Sequence, residues 1–344
     1  MQETKNRTIA YAVLTLIAMG GLLWLSTKNR AVTVDGGFRI TMGTVARILV
    51  VAQNQPQADA AIDAAFDKIY DIERLMSDYD PNSQLSLVNR EAFEHPVPVD
   101  AELFEVLTAA KLYSCTSGGA FDVTIGPVVQ LWRKAKDDNT APTPEAIAKA
   151  KETAGYENLV LDADNKTVTF KKEGMFLDLG GIAKGYAIDK AVEVLRSAGM
   201  QGAMVDIGGD LRCFGTPANG KKHWFIGLQD PQNEEEILLK LNMDDRAVAT
   251  SGDYRRFVMI DDEKHSHIIN PATADSAQDL SSVTILAPTA MAADALATAV
   301  TVMGDEKGLK LIETIDSTEA ILISHGDETS FEKTSGVDKY TDYD

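Results

Sequence analysis

Cysteine is scarce in this sequence, with Cys115 and Cys213 as the only two among 344 residues. Two cysteines cannot by themselves supply a four-ligand structural zinc site, and they allow at most one disulfide within the chain. Two buried thiols are favoured over that disulfide, because a free cysteine behaves as a small apolar side chain. The 44% of hydrophobic and 25% of charged residues are the balance of a globular protein with an apolar core.

Basic residues are also in deficit, since 33 lysines and arginines against 52 aspartates and glutamates leave a formal net charge of −19. A surface of this sign repels phosphate backbones, which argues against a nucleic-acid partner. An anionic ligand would therefore have to be held by local devices, such as a cation, backbone N–H groups or the N-terminus of a helix.

A long run without charge occurs at the N-terminus, over residues 8–26, with Lys5, Arg7, Lys28 and Arg30 on its two sides. As a helix it would span about 28 Å, close to the hydrocarbon thickness of a bilayer. The run lacks an A-x-A cleavage site at its end, which favours an uncleaved anchor over a signal peptide, although the signal peptide stays open. No cysteine stands directly after the run, so a lipoprotein anchor is excluded.

We therefore expect three parts: a short leader with a transmembrane anchor over residues 1–30, one exported domain over 31–325, and an acidic tail over 326–344 that is solvated. The chain has no internal repeat and no long linker that would divide the middle part. Strands mixed with a few helices, without regular βαβ alternation, predict an α+β fold with mostly antiparallel sheets.

Local patterns predict the individual elements. Amphipathic or small-residue periodicity predicts helices at 57–76, 100–117, 144–154, 182–198 and 290–304. Alternating or apolar runs predict strands at 38–52, 158–170 (a hairpin turning at Asp164-Asn165), 175–181, 204–215 and 223–231. Residues 77–89 are rich in turn-forming residues.

The stretch LDLGGIAKGYAIDKA at 177–191 is neither a G-x-G-x-x-G nor a Walker A motif. Its Gly180-Gly181 pair precedes a predicted helix with Lys184 in the first turn. Such a turn lets backbone N–H groups approach an anion at a helix N-terminus. A tight strand-to-helix turn without a ligand is the alternative.

A second stretch, ADALATAV at 293–300, places Asp294 and Thr298 four residues apart, on one face of a helix. A carboxylate with neutral oxygens suits Mg²⁺, which keeps waters and substrate phosphates as further ligands. Alternatively, this is a helix whose alanines pack and whose aspartate has no ligand.

The stretch at 116–132 carries Gly118-Gly119 followed by Phe121 and Asp122, an apolar ring and an acceptor suited to a nucleobase or ribose. A helix cap followed by a buried strand is the alternative.

The segment HSHIINP at 265–271 supplies two histidines that share a face if it is a strand. The other histidines offer no third zinc ligand at a suitable spacing. Either histidine could be a general base, since only histidine titrates near neutrality when unperturbed. A solvent-facing His265 without a role is the alternative.

Taken together, eight stretches resemble the ApbE family of FAD:protein FMN transferases, in family order and over about residues 40–304. They are 41–44 (TMGT), 77–89 (SDYDPNSQLSLVN), 118–132 (GGAFDVTIGPVVQLW), 177–191, 205–212 (VDIGGDLR), 249–257 (ATSGDYRRF), 267–273 (HIINPAT) and 293–304 (ADALATAVTVMG).

The resemblance implies a bilobed, T-fold-related α+β domain with flanking helices and with FAD in the cleft between its lobes. The FAD site would be lined by Met42, Tyr79, Ala120, Phe121, Asp122, Asp178, Lys184 and Ile268. Mg²⁺ would be held by Asp294, Thr298 and a carbonyl of the glycine turn, at Gly181 or, as second choice, Ala183.

The activity implied is transfer of FMN from FAD to a threonine or serine hydroxyl of an acceptor flavoprotein, with release of AMP. The candidate general base is His267, with Asp294 as its rival. The acceptor would belong to a membrane redox complex of the Nqr or Rnf type, reached from the periplasmic side of the bacterial inner membrane. Two alternatives are an FAD pyrophosphatase and a flavin-binding module without turnover.

Overall fold

The computed structural model describes residues 31–341 apart from 219, 234, 253–256, 261–262, 278 and 327–329, with only the backbone of 257–258 and 263–264. The predicted membrane span at 8–26 lies outside these residues. Within the described part of the chain, no helix is both long and apolar enough to cross a membrane.

An eight-stranded sheet forms the centre of the fold, in the order β1-β2-β6-β7-β10-β13-β14-β15. Every neighbouring pair in it is antiparallel. Its strands are β1 Val32–Thr41, β2 Thr44–Ala52, β6 Gly202–Ile207, β7 Asp210–Gly215, β10 Ala247–Gly252, β13 Leu280–Ala287, β14 Glu319–Ser324 and β15 Phe331–Lys333. This confirms the predicted α+β fold with mostly antiparallel sheets.

Three small antiparallel sheets complete the β-structure of the described residues, with strand orders β3-β5-β4, β8-β9 and β11-β12. Their strands are β3 Val97–Pro98, β4 Leu159–Asp162, β5 Thr167–Phe170, β8 Trp224–Gln229, β9 Ile237–Met243, β11 Phe257–Ile260 and β12 Glu263–Ser266. The predicted hairpin at 158–170 is the β4–β5 pair.

Eight α-helices occur in the described residues. They are α1 Gln55–Met76, α2 Gln84–Glu91, α3 Ala101–Thr116, α4 Gly126–Asp138, α5 Pro144–Thr153, α6 Ala183–Ser197, α7 Ala290–Met303 and α8 Asp305–Ile312. The predicted helices are confirmed as α1, α3, α5, α6 and α7. In α1 the Asn54 side chain accepts a hydrogen bond from Gln57 N (3.0 Å), and the predicted apolar stripe is buried.

Helix α4 corrects the alternative of a buried strand after Asp122. Its first turn is apolar and contains Pro127, whose fixed φ suits the start of a helix. A short apolar run of this kind has no period that separates strand from helix. Helix α2 likewise forms within the turn-rich stretch, with Ser83 as its N-cap (Ser86 N to Ser83 Oγ, 2.9 Å).

The strand predicted at 175–181 is wrong. Apart from a bridge between Ile125 and Phe176, this segment joins no sheet. Leu177 instead bonds the side-chain amide of Asn89, through its N–H (2.7 Å) and its carbonyl (3.0 Å). A side chain therefore takes the place of a neighbouring strand just before the Gly180-Gly181 turn.

The expectation of a wholly solvated tail after 325 is also wrong. Strand β15 pairs with β14, so Phe331 lies opposite Ile323. Val337 is fully buried in an apolar cluster that includes Ile321. The apolar side chains among the acidic ones fold the tail onto the edge of the main sheet.

Both cysteines are free thiols in the structure. Cys213 is buried, and burial raises the pKa of its thiol well above its usual value. Cys115 is exposed, which corrects the expectation of two buried thiols.

Candidate functional site

One cleft of about 1400 Å³ brings together every site residue predicted from the sequence. A volume above the roughly 1,000 Å³ of ordinary small-molecule sites leaves room for a large ligand. The residues on its walls include Met42, Tyr79, Ala120, Phe121, Asp122, Asp178, Gly181, Ala183, Lys184, His267, Ile268, Asp294 and Thr298. Their individual roles stay predictions, and their contacts differ in kind.

Helices α6 and α7 pack closely together at the cleft because α6 has a glycine, Gly185, at their contact. A Cβ on Gly185 of α6 would lie 2.2 Å from the carbonyl oxygen of Ala290 in α7, so no other residue fits without moving a helix. The close approach places Gly185 N 3.0 Å from Asp294 Oδ2. Asp294 is thereby held on α7, facing the first turn of α6.

Lys184 joins two buried carboxylates in the cleft. Its Nζ lies 2.6 Å from Asp210 Oδ2 and 3.0 Å from Asp294 Oδ1. Burial disfavours the charged lysine, but the two carboxylates outweigh it and raise the pKa of Lys184 above its usual value. Burial raises the pKa of Asp294 to about 6, against the opposing charge of Lys184. In this structure the ammonium group of Lys184 therefore neutralises the carboxylates of Asp210 and Asp294. No role for Asp210 was predicted from the sequence.

The glycine turn passes directly over Thr298. A Cβ on Gly181 would lie 2.9 Å from Thr298 Oγ1 and 3.3 Å from a ring carbon of Phe121. Thr301 donates to the carbonyl of Ala297 (2.8 Å), whereas the Thr298 hydroxyl makes no hydrogen bond with any described residue. A partly buried hydroxyl without such a bond, one helical turn from the Asp294 carboxylate, is free to bind a ligand.

These oxygens suit a hard cation better than a transition metal. No group of three or more His, Cys, Asp and Glu side chains is placed to hold a metal ion among the described residues. One carboxylate, one hydroxyl and one backbone carbonyl are a donor set for Mg²⁺, which keeps several waters or phosphate oxygens as its other ligands. The residues present therefore fit the predicted ion.

Arg133, also missed from the sequence, organises the opposite wall. Its guanidinium bonds Asp78 and lies 2.5 Å from Asp178 Oδ2, and it stacks over the ring of Tyr79 at 4.4 Å. Asp178 Oδ1 accepts from Gly180 N (2.7 Å), so both of its oxygens are already engaged. Burial raises the pKa of Asp178 although Arg133 opposes the shift. The aspartate thus shapes the glycine turn, and Tyr79 presents an exposed ring to the cleft.

The Asp122 carboxylate is occupied within the protein. Its Oδ1 accepts from Thr124 N (2.8 Å) and Thr124 Oγ1 (2.7 Å), and its Oδ2 accepts from Tyr156 N (3.0 Å). Burial raises the pKa of Asp122, against these hydrogen bonds. Its side chain therefore fixes the loop at 155–156, and any ligand contact would have to share oxygens with these donors.

The tip of the β1–β2 hairpin enters the cleft as a two-residue turn. Met42 has φ 50° and Gly43 has φ 68°, the left-handed conformation typical of such hairpins. Glu73 of α1 holds the turn, accepting from Thr41 Oγ1 and from Met42 N, both at 2.7 Å. The sequence gives no indication of this role for Glu73, beyond an acidic residue next to the buried stripe of α1.

The two histidines lie differently from expectation. The alternative of a solvent-facing His265 is wrong, because its ring is buried and packs on Trp132 at 4.7 Å. His265 Nδ1 has no hydrogen-bond partner among the described residues. His267 is exposed on the wall of the cleft. Strand β12 ends at Ser266, so the alternation that would give both histidines one face does not extend to His267.

Known proteins share both the sequence and the fold. Residues 42–322 match the ApbE family. The FAD:protein FMN transferase of Treponema pallidum is 34% identical over 300 residues, which is 83% of each chain. That of Vibrio cholerae is 31% identical over 304 residues, covering 87% of this chain and 90% of the relative.

Solved structures agree. The ApbE protein of Thermotoga maritima superposes with a TM-score of 0.81 at 31% identity, covering 91% of this chain and all of the other. The flavin transferase ApbE of Vibrio cholerae gives a TM-score of 0.79 at 29% identity, covering 90% and 99%. With most of both chains matched in sequence and in fold, and with the predicted motifs gathered at one cleft, this protein belongs to the ApbE family.

Proposed function

We propose that this protein transfers the FMN moiety of FAD to a threonine or serine hydroxyl of an acceptor flavoprotein and releases AMP. Its family and the shared name of its relatives make it a transferase. The observation that carries the finer proposal is the cleft, where all residues expected to bind FAD and Mg²⁺ share one cavity of about 1400 Å³.

Aromatic and apolar side chains on the cleft wall suit the rings of FAD. Tyr79 is 74% exposed, and its other face is covered by the Arg133 guanidinium, so the ring is held in place for stacking. Phe121 is buried against Tyr113 in an edge-to-face contact (6.4 Å) and gives this wall an apolar patch. Met42 adds an apolar side chain from the hairpin tip.

The pyrophosphate of FAD needs positive groups, because the protein as a whole carries −19. Helix α6 begins at the cleft, but the N–H groups of Ala183 and Gly185 in its first turn already bond the Leu179 carbonyl (2.9 Å) and Asp294 Oδ2 (3.0 Å), so most of the positive charge has to come from a bound cation. Asp294, Thr298 and a carbonyl of the turn at Gly181 are the residues that would hold Mg²⁺. When bound, Mg²⁺ neutralises charge on phosphate oxygens and favours departure of AMP.

His267 is the better candidate for the general base. The acceptor hydroxyl oxygen forms a bond to the phosphorus on the FMN side, and the bond from that phosphorus to the AMP oxygen breaks, with its electron pair leaving on AMP. The hydroxyl proton passes to the exposed imidazole of His267. Asp294 is less suited, because its oxygens already accept hydrogen bonds from Lys184 and Gly185, and Mg²⁺ would use the acceptor sites that remain.

The acceptor and the location extend the proposal. We infer that the acceptor is a subunit of a membrane redox complex of the Nqr or Rnf type. The uncharged run at 8–26 supports an anchor in the inner membrane, with the catalytic domain on the periplasmic side.

The test incubates the full chain in detergent with FAD, Mg²⁺ and candidate acceptor subunits. Mass spectrometry should find FMN added to a threonine or serine of one acceptor, with one AMP released for each FMN attached, and EDTA should abolish both. Release of FMN and AMP without modified acceptor would identify a pyrophosphatase, and bound FAD without AMP release a binding module.

Variants assign the roles in the same assay. His267→Ala should lower kcat at saturating FAD by about 100-fold, within the range for loss of a general base, while His95→Ala, an exposed histidine outside the cleft, keeps full activity. Full activity of His267→Ala would contradict the assignment of the base. Asp294→Ala should abolish the Mg²⁺-dependent transfer, because it removes the carboxylate that would hold the ion.

A further inference from the structure

Three large apolar side chains lie exposed together on the outer face of the β1–β2 hairpin. Phe38 is 71%, Ile40 82% and Val45 48% exposed. In the strand register Ile40 lies opposite Val45, and Phe38 lies opposite Arg47, two residues further along β2. Directly opposed residues share a face of the sheet, so the three form one strip, called here the hairpin strip.

The fold does not need this strip for its core. The opposite face of the hairpin is the buried one, with Thr41 and Ala46 inaccessible and Arg39 stacked on Phe66 of α1 (4.1 Å). Exposed apolar patches on a sheet favour association and are usually kept small. The strip is therefore a surface available to a partner.

The edge of the hairpin is available as well. Strand β1 is the last strand of the eight-stranded sheet and pairs, as far as the described residues show, only with β2. Proteins commonly protect such an edge with lysine, proline or a bulge. β1 has a bulge between Asp35 and Phe38 but neither lysine nor proline, and its register is regular from Phe38 to Thr41.

The strip adjoins the cleft. Ile40 precedes the turn residue Met42 by two positions, about 7 Å along an extended chain, and Met42 and Gly43 line the cleft. Val32, at the start of β1, lies about 27 Å from Ile40 by the same spacing. The exposed apolar residues thus concentrate at the end of the strand that enters the candidate active site.

We propose that the hairpin strip docks the acceptor protein. This inference rests on the proposed function, which requires a folded protein to bring a hydroxyl into the cleft. The partner segment would be extended, would pair with the free edge of β1, and would place apolar side chains on Phe38, Ile40 and Val45. The neighbouring arginines are already paired, Arg39 with Asp63 and Arg47 with Asp35, and Arg47 also lies over the Phe38 ring at 5.1 Å, so the strip favours an apolar segment.

The test measures initial rates of flavinylation with the acceptor identified in the mass-spectrometry experiment above. Ile40→Glu should raise KM for the acceptor about tenfold, as expected when a central contact of an interface is lost. KM for FAD should stay the same, because Ile40 does not line the cleft. Leu112→Glu is the matched control: Leu112 is 63% exposed on α3 and lies outside the cleft, so both KM values should stay at the wild-type level.

A conservative pair guards against misfolding. Ile40→Val should keep the wild-type KM, and Ile40→Thr, whose β-branched side chain also suits a strand, should raise KM for the acceptor with an unchanged Tm. An unchanged acceptor KM in both Ile40→Glu and Ile40→Thr would overturn the inference. So would a fall in oligomeric mass without a change in KM, since the strip would then join copies of this chain.

Failure of the two proposals can be told apart. If the wild-type protein attaches no FMN to any acceptor, the proposed function and the docking inference both fall. If the wild-type protein is active and the Ile40 variants are equally active, only the docking inference falls.

Discussion

At the scale of single residues, the cleft is built on buried carboxylates that the chain itself satisfies. A buried carboxylate is costly unless it is paired or hydrogen-bonded. Asp178 has Arg133 and Asp294 has Lys184 as a cationic partner. Asp122 relies on three neutral donors instead, from Thr124 and Tyr156. Asp122 should therefore contribute to the stability of the protein and not to the binding of FAD. The two effects can be measured separately.

Asp122→Ala should lower the free energy of unfolding by about 3 kcal/mol, because it leaves buried donors without an acceptor at a cost of roughly 1–3 kcal/mol for each group. Denaturant titration measures this loss. KM for FAD, determined well below the Tm, should not change. The exposed Asp164→Ala is the control and should stay within about 0.5 kcal/mol of wild type. Normal stability with a raised KM would instead assign the carboxylate to FAD.

At the scale of elements, the site depends on how helices hold the turns between strands. Glu73, near the end of α1, uses one oxygen for Thr41 and the other for the Met42 amide. The hairpin tip keeps a left-handed Met42, a conformation that costs a non-glycine residue about 1–2 kcal/mol. A bidentate acceptor therefore stabilises a turn that would otherwise loosen.

Glu73→Gln should speed hydrogen exchange of the Met42 amide about tenfold and weaken FAD binding, because glutamine retains only one acceptor oxygen for the two donors. Exchange followed by mass spectrometry or NMR, together with an FAD titration, measures both effects. Glu94→Gln, an exposed glutamate outside the cleft, serves as the control. Unchanged exchange at Met42 would show that the turn holds its shape without Glu73.

The contact of α6 with α7 is a second element-scale feature, since it places Asp294 against the first turn of α6. Gly185 is required there by the backbone of Ala290 at 2.2 Å from its missing Cβ. The neighbouring alanines of both helices are buried, so the two helices have little room to adjust.

Gly185→Ala should lower the free energy of unfolding by about 3 kcal/mol, the upper part of the range for overpacked sites, and should lower Mg²⁺-dependent activity as Asp294 moves away. Thermal unfolding and the transfer assay measure the two effects. Ser197→Ala, at the exposed end of α6, introduces alanine without a clash and should behave as wild type. A stable, fully active Gly185→Ala would contradict the close packing.

At the scale of the whole molecule, the excess of acidic groups acts on stability as well as on ligand choice. A net charge of −19 repels itself in the compact state. Several ion pairs of the described residues are exposed on both sides, such as Arg47 with Asp35, and exposed pairs contribute little. Screening should therefore stabilise the protein.

Raising NaCl from 20 to 300 mM in the presence of EDTA should raise the Tm by about 2 °C, because the screening length falls to below about 10 Å while self-repulsion is the main long-range term. Differential scanning calorimetry measures the shift, and the same series in KCl controls for a specific ion effect. A Tm that falls with salt would show that the surface ion pairs outweigh the repulsion.

The motifs also show what could be predicted for the site. Each residue named for FAD or metal lines the one cleft, because family motifs preserve local sequence around a common fold. Arg133 and Glu73 lie outside these motifs, and Asp210, although inside the motif at 205–212, was given no predicted role. Their partners lie 45, 31 and 40 residues away in the chain, at Asp178, Met42 and Thr250. Pairing over such separations depends on the fold and has no local pattern.

The amino-acid sequence by itself determined the composition of an apolar core, the periodic helices, the β4–β5 hairpin and the order of the motifs, since these follow from the spacing of neighbouring residues. Only the tertiary structure decided that Asp122 and Asp178 are occupied by the protein, that His265 is buried while His267 faces the cleft, and that the acidic tail adds a strand. The physical reason is that the fold decides which group lies next to a carboxylate, an imidazole or a strand edge. Burial then sets the charge of that group and, with it, the role that the group can have.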